Sequence, residues 1–402
     1  NFAQPLPPGN NGIVFERDHF SFDLEAFGDI NGDGVPEVVV GAPRDNDAAG
    51  VAGQVAKRNG AVYIMFFGST GADSSYKISN SYGNFDVNTN IYIRDRDQFG
   101  MSVSGIGDLD GDGVADIAVG APGTRRPGSN NQRIGAVYVI FMEADGSVKS
   151  ASQITEGVGG FPGNSLDNTG QLSNSTRYQG YFGFGSSLAN AGDWDGDNLS
   201  ELIVGNMTDD EGGNNRGSLW FLHMNSDGTV KPGGASKIDD AALEAANGGM
   251  TVLGNNDYFG ASVEVIGDIN GDSIPDLMVG APADDDGGGN AGAVYVLFMN
   301  ADATVQGITK INSITGVNVG TTGSLPLSNN DFFGFSVAAA GDVNGVNVPD
   351  AWVGSYLSGN PVGDNNRRGA LYLLYLESDG EVLSWNRIDG SSGFNSGVMT
   401  DS

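Results

Sequence analysis

One phrase occurs five times in this 402-residue chain. It reads GDINGDGVPEVVVGAP from Gly28, GDLDGDGVADIAVGAP from Gly107, GDWDGDNLSELIVGNM from Gly192, GDINGDSIPDLMVGAP from Gly267 and GDVNGVNVPDAWVGSY from Gly341, at spacings of 79, 85, 75 and 74 residues. A repeat of this kind is one supersecondary unit. It cannot cover its own apolar face, so it stacks on its neighbours and builds the core between them.

The match extends on both sides of the phrase. An aromatic-led stretch precedes each copy: FSFDLEAF from Phe20, FGMSVSGI from Phe99, FGFGSSLANA from Phe182, FGASVEVI from Phe259 and FGFSVAAA from Phe333. After a polar loop come GAVYIMFF, GAVYVIFM, GSLWFLHM, GAVYVLFM and GALYLLYL, and a short run around Ile78, Ile154, Ile238, Ile311 and Ile388 closes each unit. Each unit thus holds four short runs rich in Val, Ile, Phe and Tyr, bounded by Gly, Asp, Asn or Pro, which is how strands are written. Helical periodicity is confined to one or two turns at Asp239 to Ala246. Four strands per unit, lettered A to D, repeated five times predict an all-β protein: a β-propeller of four-stranded antiparallel blades. The expected blades cover about residues 20–80, 98–155, 181–239, 258–312 and 332–389. Residues 1–19 form a Pro-rich arm and 390–402 a tail. Five blades are visible; a seven-bladed ring completed by another segment is the alternative.

Composition removes several function classes. The chain has no Cys, which excludes disulfide scaffolds, zinc–thiolate sites and cysteine nucleophiles. Only two histidines, His19 and His223, leave little for a His-rich metal site or a Ser-His-Asp triad. A formal charge of −31 opposes binding to nucleic acid or to an anionic membrane over a large surface. No apolar run approaches the ~20 residues that span a bilayer, so direct membrane insertion is not expected, and no leader segment is read at the N-terminus. The 65 glycines recur at fixed offsets, as turns and close strand contacts require, which argues against a flexible low-complexity chain.

The chemistry is concentrated between strands A and B, where each loop reads D-x-[DN]-G-x-x-x-x-[DE]. Loop 1 offers Asp29, Asn31, Asp33 and Glu37, with the backbone carbonyl of Val35 at position 7. Loop 2 offers Asp108, Asp110, Asp112 and Asp116 with Val114; loop 3, Asp193, Asp195, Asp197 and Glu201 with Leu199; loop 4, Asp268, Asn270, Asp272 and Asp276 with Ile274. Odd positions point inward when a chain wraps a small sphere, and an all-oxygen cage of this size suits calcium better than magnesium or zinc. Gly at position 4 clears the wrap. Gly34 and Gly113 serve the sharp turn at position 6; Asn198 can replace them, whereas Ser273 is less apt. Loop 5 keeps Asp342, Asn344 and Asp350 but has Val346 at position 5, so its site is expected to be weak or degenerate. About four Ca²⁺ are therefore expected, in a structural role. An EF-hand is excluded, since strands flank a loop too short for its twelfth-position Glu.

Phe-Gly at 99, 182, 259 and 333, the acidic loop, and Gly-Ala-Pro at 41, 120 and 280 together resemble the FG-GAP repeats of integrin α N-terminal propellers, and more closely those of bacterial integrin-like proteins. The resemblance covers about residues 20–389. It implies a β-propeller with calcium in its loops, an extracellular, secreted or cell-surface location, and ligands met on the face opposite the calcium. The first unit departs with FSF in place of FG, and units 3 and 5 with GNM and GSY in place of GAP.

In a meander blade, A–B and C–D loops share one face, and B–C and D–A loops the other. The B–C loops (44–59, 123–134, 208–216, 283–291 and 357–368) carry nine of the 19 basic residues, Arg125, Arg126, Arg133, Arg216, Arg367 and Arg368 among them. Two readings stand: pairing within the protein, or a partner carboxylate or sulfate gripped by Arg. Trp220 and Trp352 are expected in the core, and Trp194 packed on a neighbouring blade. Function divides between a non-catalytic binding module and a calcium-dependent polysaccharide-processing enzyme. The first would serve adhesion, protein or glycan binding, or assembly of a surface or filamentous structure, with self-association possible through the N-terminal arm. The second needs a unique base and a positive group in one pocket, which no unit supplies, so the chain reads as no enzyme.

Overall fold

The computed structural model describes residues 18–45, 58–68, 71–80, 82–89, 91–129, 132–163, 165–166, 183–317, 324–358 and 369–389. Arg367 and Arg368, residues 1–17 of the arm and the 390–402 tail lie outside them.

Blade 1 pairs β1 (Leu24–Gly28), β2 (Glu37–Ala42), β3 (Ala61–Gly68) and β4 (Gly71–Ile78). A five-residue helix, α1 (Phe85–Thr89), leads to blade 2: β5 (Val103–Gly107), β6 (Asp116–Gly120), β7 (Val137–Met142) and β8 (Val148–Ile154). Blade 3 holds β9 (Leu188–Gly192), β10 (Glu201–Asn206), β11 (Ser218–Met224) and β12 (Val230–Ile238). After α2 (Asp240–Ala246) come blade 4, with β13 (Ser262–Gly267), β14 (Asp276–Ala281), β15 (Ala293–Met299) and β16 (Val305–Ile311), and blade 5, with β17 (Phe333–Gly341), β18 (Asp350–Ser355), β19 (Ala370–Leu376) and β20 (Val382–Asp389). Every sheet has four strands in sequence order, an antiparallel meander. This is a five-bladed β-propeller.

The helix read at Asp239–Ala246 is present, capped by the Asp239 carboxylate, which accepts from the Ala242 amide at 3.1 Å. The shorter α1 has no periodicity to announce it and is anchored by Phe85, which is fully buried.

The chain falls into two compact units, residues 1–209 with 220–236, and residues 210–219 with 237–402. Within the first, Phe27, Val39 and Ile64 of blade 1 share a core with Phe99, Val119 and Tyr138 of blade 2. A second cluster joins Ala118 and Val139 to Leu202, Trp220 and Leu222. Within the other unit, Ile266, Met278 and Val296 pack with Phe333, Val353 and Tyr372. Each large side chain buried this way contributes about 1.5–3 kcal/mol. The core therefore lies between sheets, as the repeat requires. Trp220 is buried as expected, whereas Trp352 is only half-buried.

The Phe-Gly and Gly-Ala-Pro signatures meet at the blade joints. The Phe99 amide donates to Asn59 O of the preceding blade (3.0 Å), while Gly100 N donates to Gly120 O of its own blade (3.0 Å). Phe184, Phe259 and Phe333 repeat the first contact with Ile134, Arg216 and Ala291. These phenylalanines are fully buried, and Phe99, Phe259 and Phe333 meet the strand-C tyrosine of their own blade edge-on. One expectation is corrected. The working Phe-Gly of the third unit is Phe184–Gly185, two residues beyond 182, because only Phe184 stands nine residues before the loop's first Asp, as Phe99 does. In unit 1, Phe20 takes the Phe role against Tyr63, and Ser21 adopts the φ of +64° that glycine would otherwise supply.

A titratable pair stands at the start of strand β1. Burial pushes Glu25 up to about 7, with the Asp23 charge adding to it, and pushes Asp23 up to about 6. Folded Glu25 therefore holds a proton that the unfolded chain, with a carboxyl near 4.3, has lost. Its contribution to stability is present at acid pH and falls as pH rises from about 4 to 7. Glu25→Gln is expected to raise the melting temperature at pH 8, by on the order of 2 kcal/mol in stability, and to leave it unchanged at pH 4. Equal shifts at both pH values would contradict this.

Candidate metal centres in the acidic loops

The first aspartate of each loop gathers the loop's own amides. Asp29 Oδ1 accepts from Gly32 N and Asp33 N at 2.8 and 3.1 Å, and its Oδ2 from Gly34 N at 2.7 Å. Position 3 accepts from the amide of position 5 (Asp33 N to Asn31 Oδ1, 2.8 Å), and position 5 from that of position 7 (Val35 N to Asp33 Oδ1, 2.8 Å). Loops 2 and 4 repeat the pattern through Asp108, Asp110 and Asp112, and through Asp268, Asn270 and Asp272. Loop 3 does so through Asp193 and Asp197. These short-range turns explain why Asp and Asn at alternate positions fold the segment this way. At position 6, Gly34, Gly113, Asn198 and Ser273 all have φ between +69° and +91°, so Ser273 takes the left-handed turn as Asn198 does.

Position 9 opens strand B and is buried in every loop: Glu37, Asp116, Glu201, Asp276 and Asp350. An aspartate there ties its own strand to the loop and to strand C. Asp116 accepts from Leu109 N and from Met142 N of β7, both at 3.0 Å; Asp276 does the same with Ile269 and Met299, and Asp350 with Val343 and Leu376. The longer glutamates keep one oxygen on the position-2 amide and turn the other toward the loop. Glu37 Oε1 accepts from Asn31 Nδ2 at 3.0 Å, whereas Glu201 Oε1, fully buried, accepts no hydrogen bond.

Ligand atoms of Asp29, Asp33 and Glu37 lie within 4.8 Å of one another, as do those of Asp108, Asp110 and Asp116, and those of Asp193, Asp195 and Asp197. Burial, reinforced by the neighbouring carboxylates, pushes Asp116 up to about 7 and Asp276 up to about 6, and it raises Glu37 and Glu201 as well. A buried carboxylate among like charges fits a hard divalent cation; in loop 3 the Glu201 oxygen that accepts no hydrogen bond has Lys231 Nζ at 3.8 Å and His223 Nδ1 at 3.7 Å. Loop 5 separates the turn from the site. Asp342 and Asn344 form the same amide bonds, yet Val346, 49% exposed, stands where the third oxygen ligand would be.

Basic side chains complete loops 2 and 3. Lys149 Nζ reaches Asp110 Oδ2 at 2.6 Å and Asp112 Oδ2 at 2.5 Å, and holds Asp112 below its usual range. Lys231 Nζ reaches Asp195 Oδ2 at 2.5 Å and Asp197 Oδ2 at 2.7 Å. His223 Nδ1 lies 3.4 Å from Asp195 Oδ2. Sequence reading placed His223 on strand C without seeing that it faces loop 3. The signal was there, in an imidazole at a site that is Phe141 and Phe298 in blades 2 and 4. Trp194 is half-buried and edge-on to Phe221 of its own blade at 5.1 Å.

On the B–C side three of the arginines have partners within the protein. Arg126 pairs with Glu156 at 2.8 Å, Arg216 pairs with Asp240, and buried Arg133 donates to Arg96 O and Asp95 O at 3.1 Å. Arg125 is half-buried beside Arg133. Sequence reading also missed a recurring buried set there. Asp45 binds Tyr63 and Lys77, each at 2.7 Å, and Asp284 binds Tyr295 at 2.9 Å and Lys310 at 2.6 Å. Its signal is the Tyr of strand C with the Lys that precedes the closing Ile of strand D.

A family model described as "FG-GAP repeat" matches residues 25–65, 99–140 and 259–297. The chain is 29% identical to Drosophila melanogaster integrin alpha-PS2 over 198 residues, 48% of this chain and 12% of that protein. It is 25% identical to Xenopus laevis integrin alpha-5 over 269 residues (66% and 20%), and 27% identical to Cricetulus griseus integrin alpha-3 over 303 residues (72% and 23%). The chain thus matches less than a quarter of the length of each of these three relatives. With Phe-Gly steps that bridge successive blades and an acidic loop opening each second strand, the chain is an integrin-like FG-GAP repeat β-propeller.

Proposed function

We propose that the protein is a non-catalytic, calcium-binding extracellular propeller, secreted or surface-displayed, that acts in adhesion, in binding a protein or glycan, or in assembly. The observation that carries the calcium reading is the convergence of the loop carboxylates, whose ligand atoms lie within 4.8 Å of one another in loops 1, 2 and 3, around a buried position-9 carboxylate. The ions would be held by Asp29, Asn31, Asp33 and Glu37; by Asp108, Asp110, Asp112 and Asp116; by Asp193, Asp195, Asp197 and Glu201; and by Asp268, Asn270, Asp272 and Asp276. The carbonyls of Val35, Val114, Leu199 and Ile274 complete the four sets. A bound cation supplies charge neutralisation, and position 1 at the end of strand A and position 9 at the start of strand B are what it clamps. Asp342, Asn344 and Asp350 make a degenerate fifth set.

The integrin relatives support the adhesion-type role. No helix among the described residues is long and apolar enough to cross a membrane. The B–C/D–A face is the proposed ligand face. Arg125, with Arg367 and Arg368, is its best candidate for gripping an anion, since Arg126, Arg133 and Arg216 hold internal partners. The test is binding of the full chain to matrix proteins and a glycan array, with and without chelator, alongside incubation with uronic-acid polymers. Calcium-dependent binding without turnover is expected; release of unsaturated products would overturn the non-catalytic reading.

A further inference from the structure

We propose that Lys149 and Lys231 are resident counter-ions of loops 2 and 3, matched to the aspartate at the third loop position, and that calcium must displace them. The two loops then bind calcium more weakly than four carboxylates imply, and keep their shape without it. The inference rests on the calcium reading of the loops and adds a ranking among them.

The first support is a correlation inside this one chain. The second residue of strand D is Lys149, Lys231, Gln306 and Leu383 in blades 2 to 5, and its counterpart in blade 1 is Asp73, the third residue of β4; the third loop position is Asn31, Asp110, Asp195, Asn270 and Asn344. Lysine occurs in the two blades whose third position is Asp and in none of the three where it is Asn. Counting the loop carboxylates together with this strand-D residue, loops 2 to 4 each present the same charge of −3, and loop 1, with Asp73 at that position, −4. The second support is geometric. In blades 1, 2, 4 and 5 the pairing of strands C and D slips at this residue, as between Phe141↔Ser150 and Met142↔Val148. Such a bulge leaves one residue unpaired and re-aims its side chain. In blade 4 that side chain, Gln306, reaches Asn270 at 3.3 Å, so the position addresses the loop even without charge. In blades 2 and 3 the ammonium sits 2.5–2.7 Å from the second oxygens of positions 3 and 5, the same oxygens that a cation would use.

Trp194, at position 2 of loop 3, supplies a local reporter. Its sensitised Tb³⁺ emission, displaced by Ca²⁺, follows loop 3 in the full chain, and Trp194→Phe identifies the signal. Lys231→Gln is expected to tighten calcium at loop 3 about tenfold, because a unit charge is removed a few ångström from the ion, and to lower the metal-free melting temperature. Asp195→Asn alone is expected to weaken calcium about tenfold. The double variant, which copies the Asn270/Gln306 pair of loop 4, is expected to restore the metal-free melting temperature toward the parent's. A midpoint unmoved by Lys231→Gln, or a double variant no more stable without metal than Lys231→Gln, would overturn the counter-ion role. No sensitised signal in the parent would instead overturn the calcium reading of loop 3, while the metal-free melting series still decides the charge pairing.

Discussion

Removing calcium from the full chain is expected to lower its melting temperature by on the order of 10 °C. A ligand held by the folded state alone stabilises it by about 2.7 kcal/mol at a free concentration one hundred times Kd, and four independent sites would multiply this to about 11 kcal/mol. At this chain length each kcal/mol moves the midpoint by about 1–2 °C. The structure gives the reason for a large effect. Burial pushes Asp116 up to about 7 and Asp276 up to about 6, so at neutral pH blades 2 and 4 each hold a carboxylate that burial resists ionising. The loss should be uneven. Loops 1 and 4 lack a facing lysine and should open first, with backbone amide exchange at Gly32–Val35 and Gly271–Ile274 rising more than at Gly111–Val114. Uniform exchange across the loops would remove the lysine part of this account.

Gly135→Ala, like the equivalent changes at Gly60 and Gly217, is expected to be severely damaging. A Cβ there would lie 2.0 Å from Phe184 O and 2.7 Å from Phe184 N, on a backbone at φ +90°. Left-handed φ costs a non-glycine residue about 1–2 kcal/mol, and overpacking adds about 1–3 kcal/mol, at the upper end when the obstacle is main chain. The added carbon would also lengthen the Phe184 N to Ile134 O hydrogen bond that joins the blades. Gly128, at φ +78°, isolates the conformational cost, because an added methyl there would meet nothing within 4 Å. Thermal melts should therefore show Gly128→Ala a few degrees below the parent and Gly135→Ala about 10 °C below it, or unfolded. Equal losses would mean that the Phe-Gly joint is not what holds successive blades together.

The blades were legible because each strand run is short, β-branched and bounded by turn residues, and because five copies average out the irregularities of any one. The acidic loops were legible for the same reason, and the odd-position rule brought the right side chains together. What escaped detection involved pairs far apart in sequence. Lys149 lies 39 residues from Asp110, and nothing local marks a residue that a bulge turns onto a loop between two other strands of the sheet. Asp45, Tyr63 and Lys77 meet only once strands C and D are in register. Phe184 was misplaced by two residues because FGFG offers two overlapping matches, and only the distance to Asp193 distinguishes them. The arginines of the B–C loops show the reverse limit. Their number suggested an anion-binding face, and the structure assigns Arg126, Arg133 and Arg216 internal partners that composition could not reveal.

The most direct test of the central claim is a count of calcium on the full chain. Equilibrium dialysis with metal analysis should find about four ions per chain, one for each of loops 1–4. Glu37→Gln, Asp116→Asn, Glu201→Gln and Asp276→Asn should each remove about one, and Asp342→Asn none. A chain that binds no calcium, or whose count is unchanged by all four of those substitutions, would contradict the account.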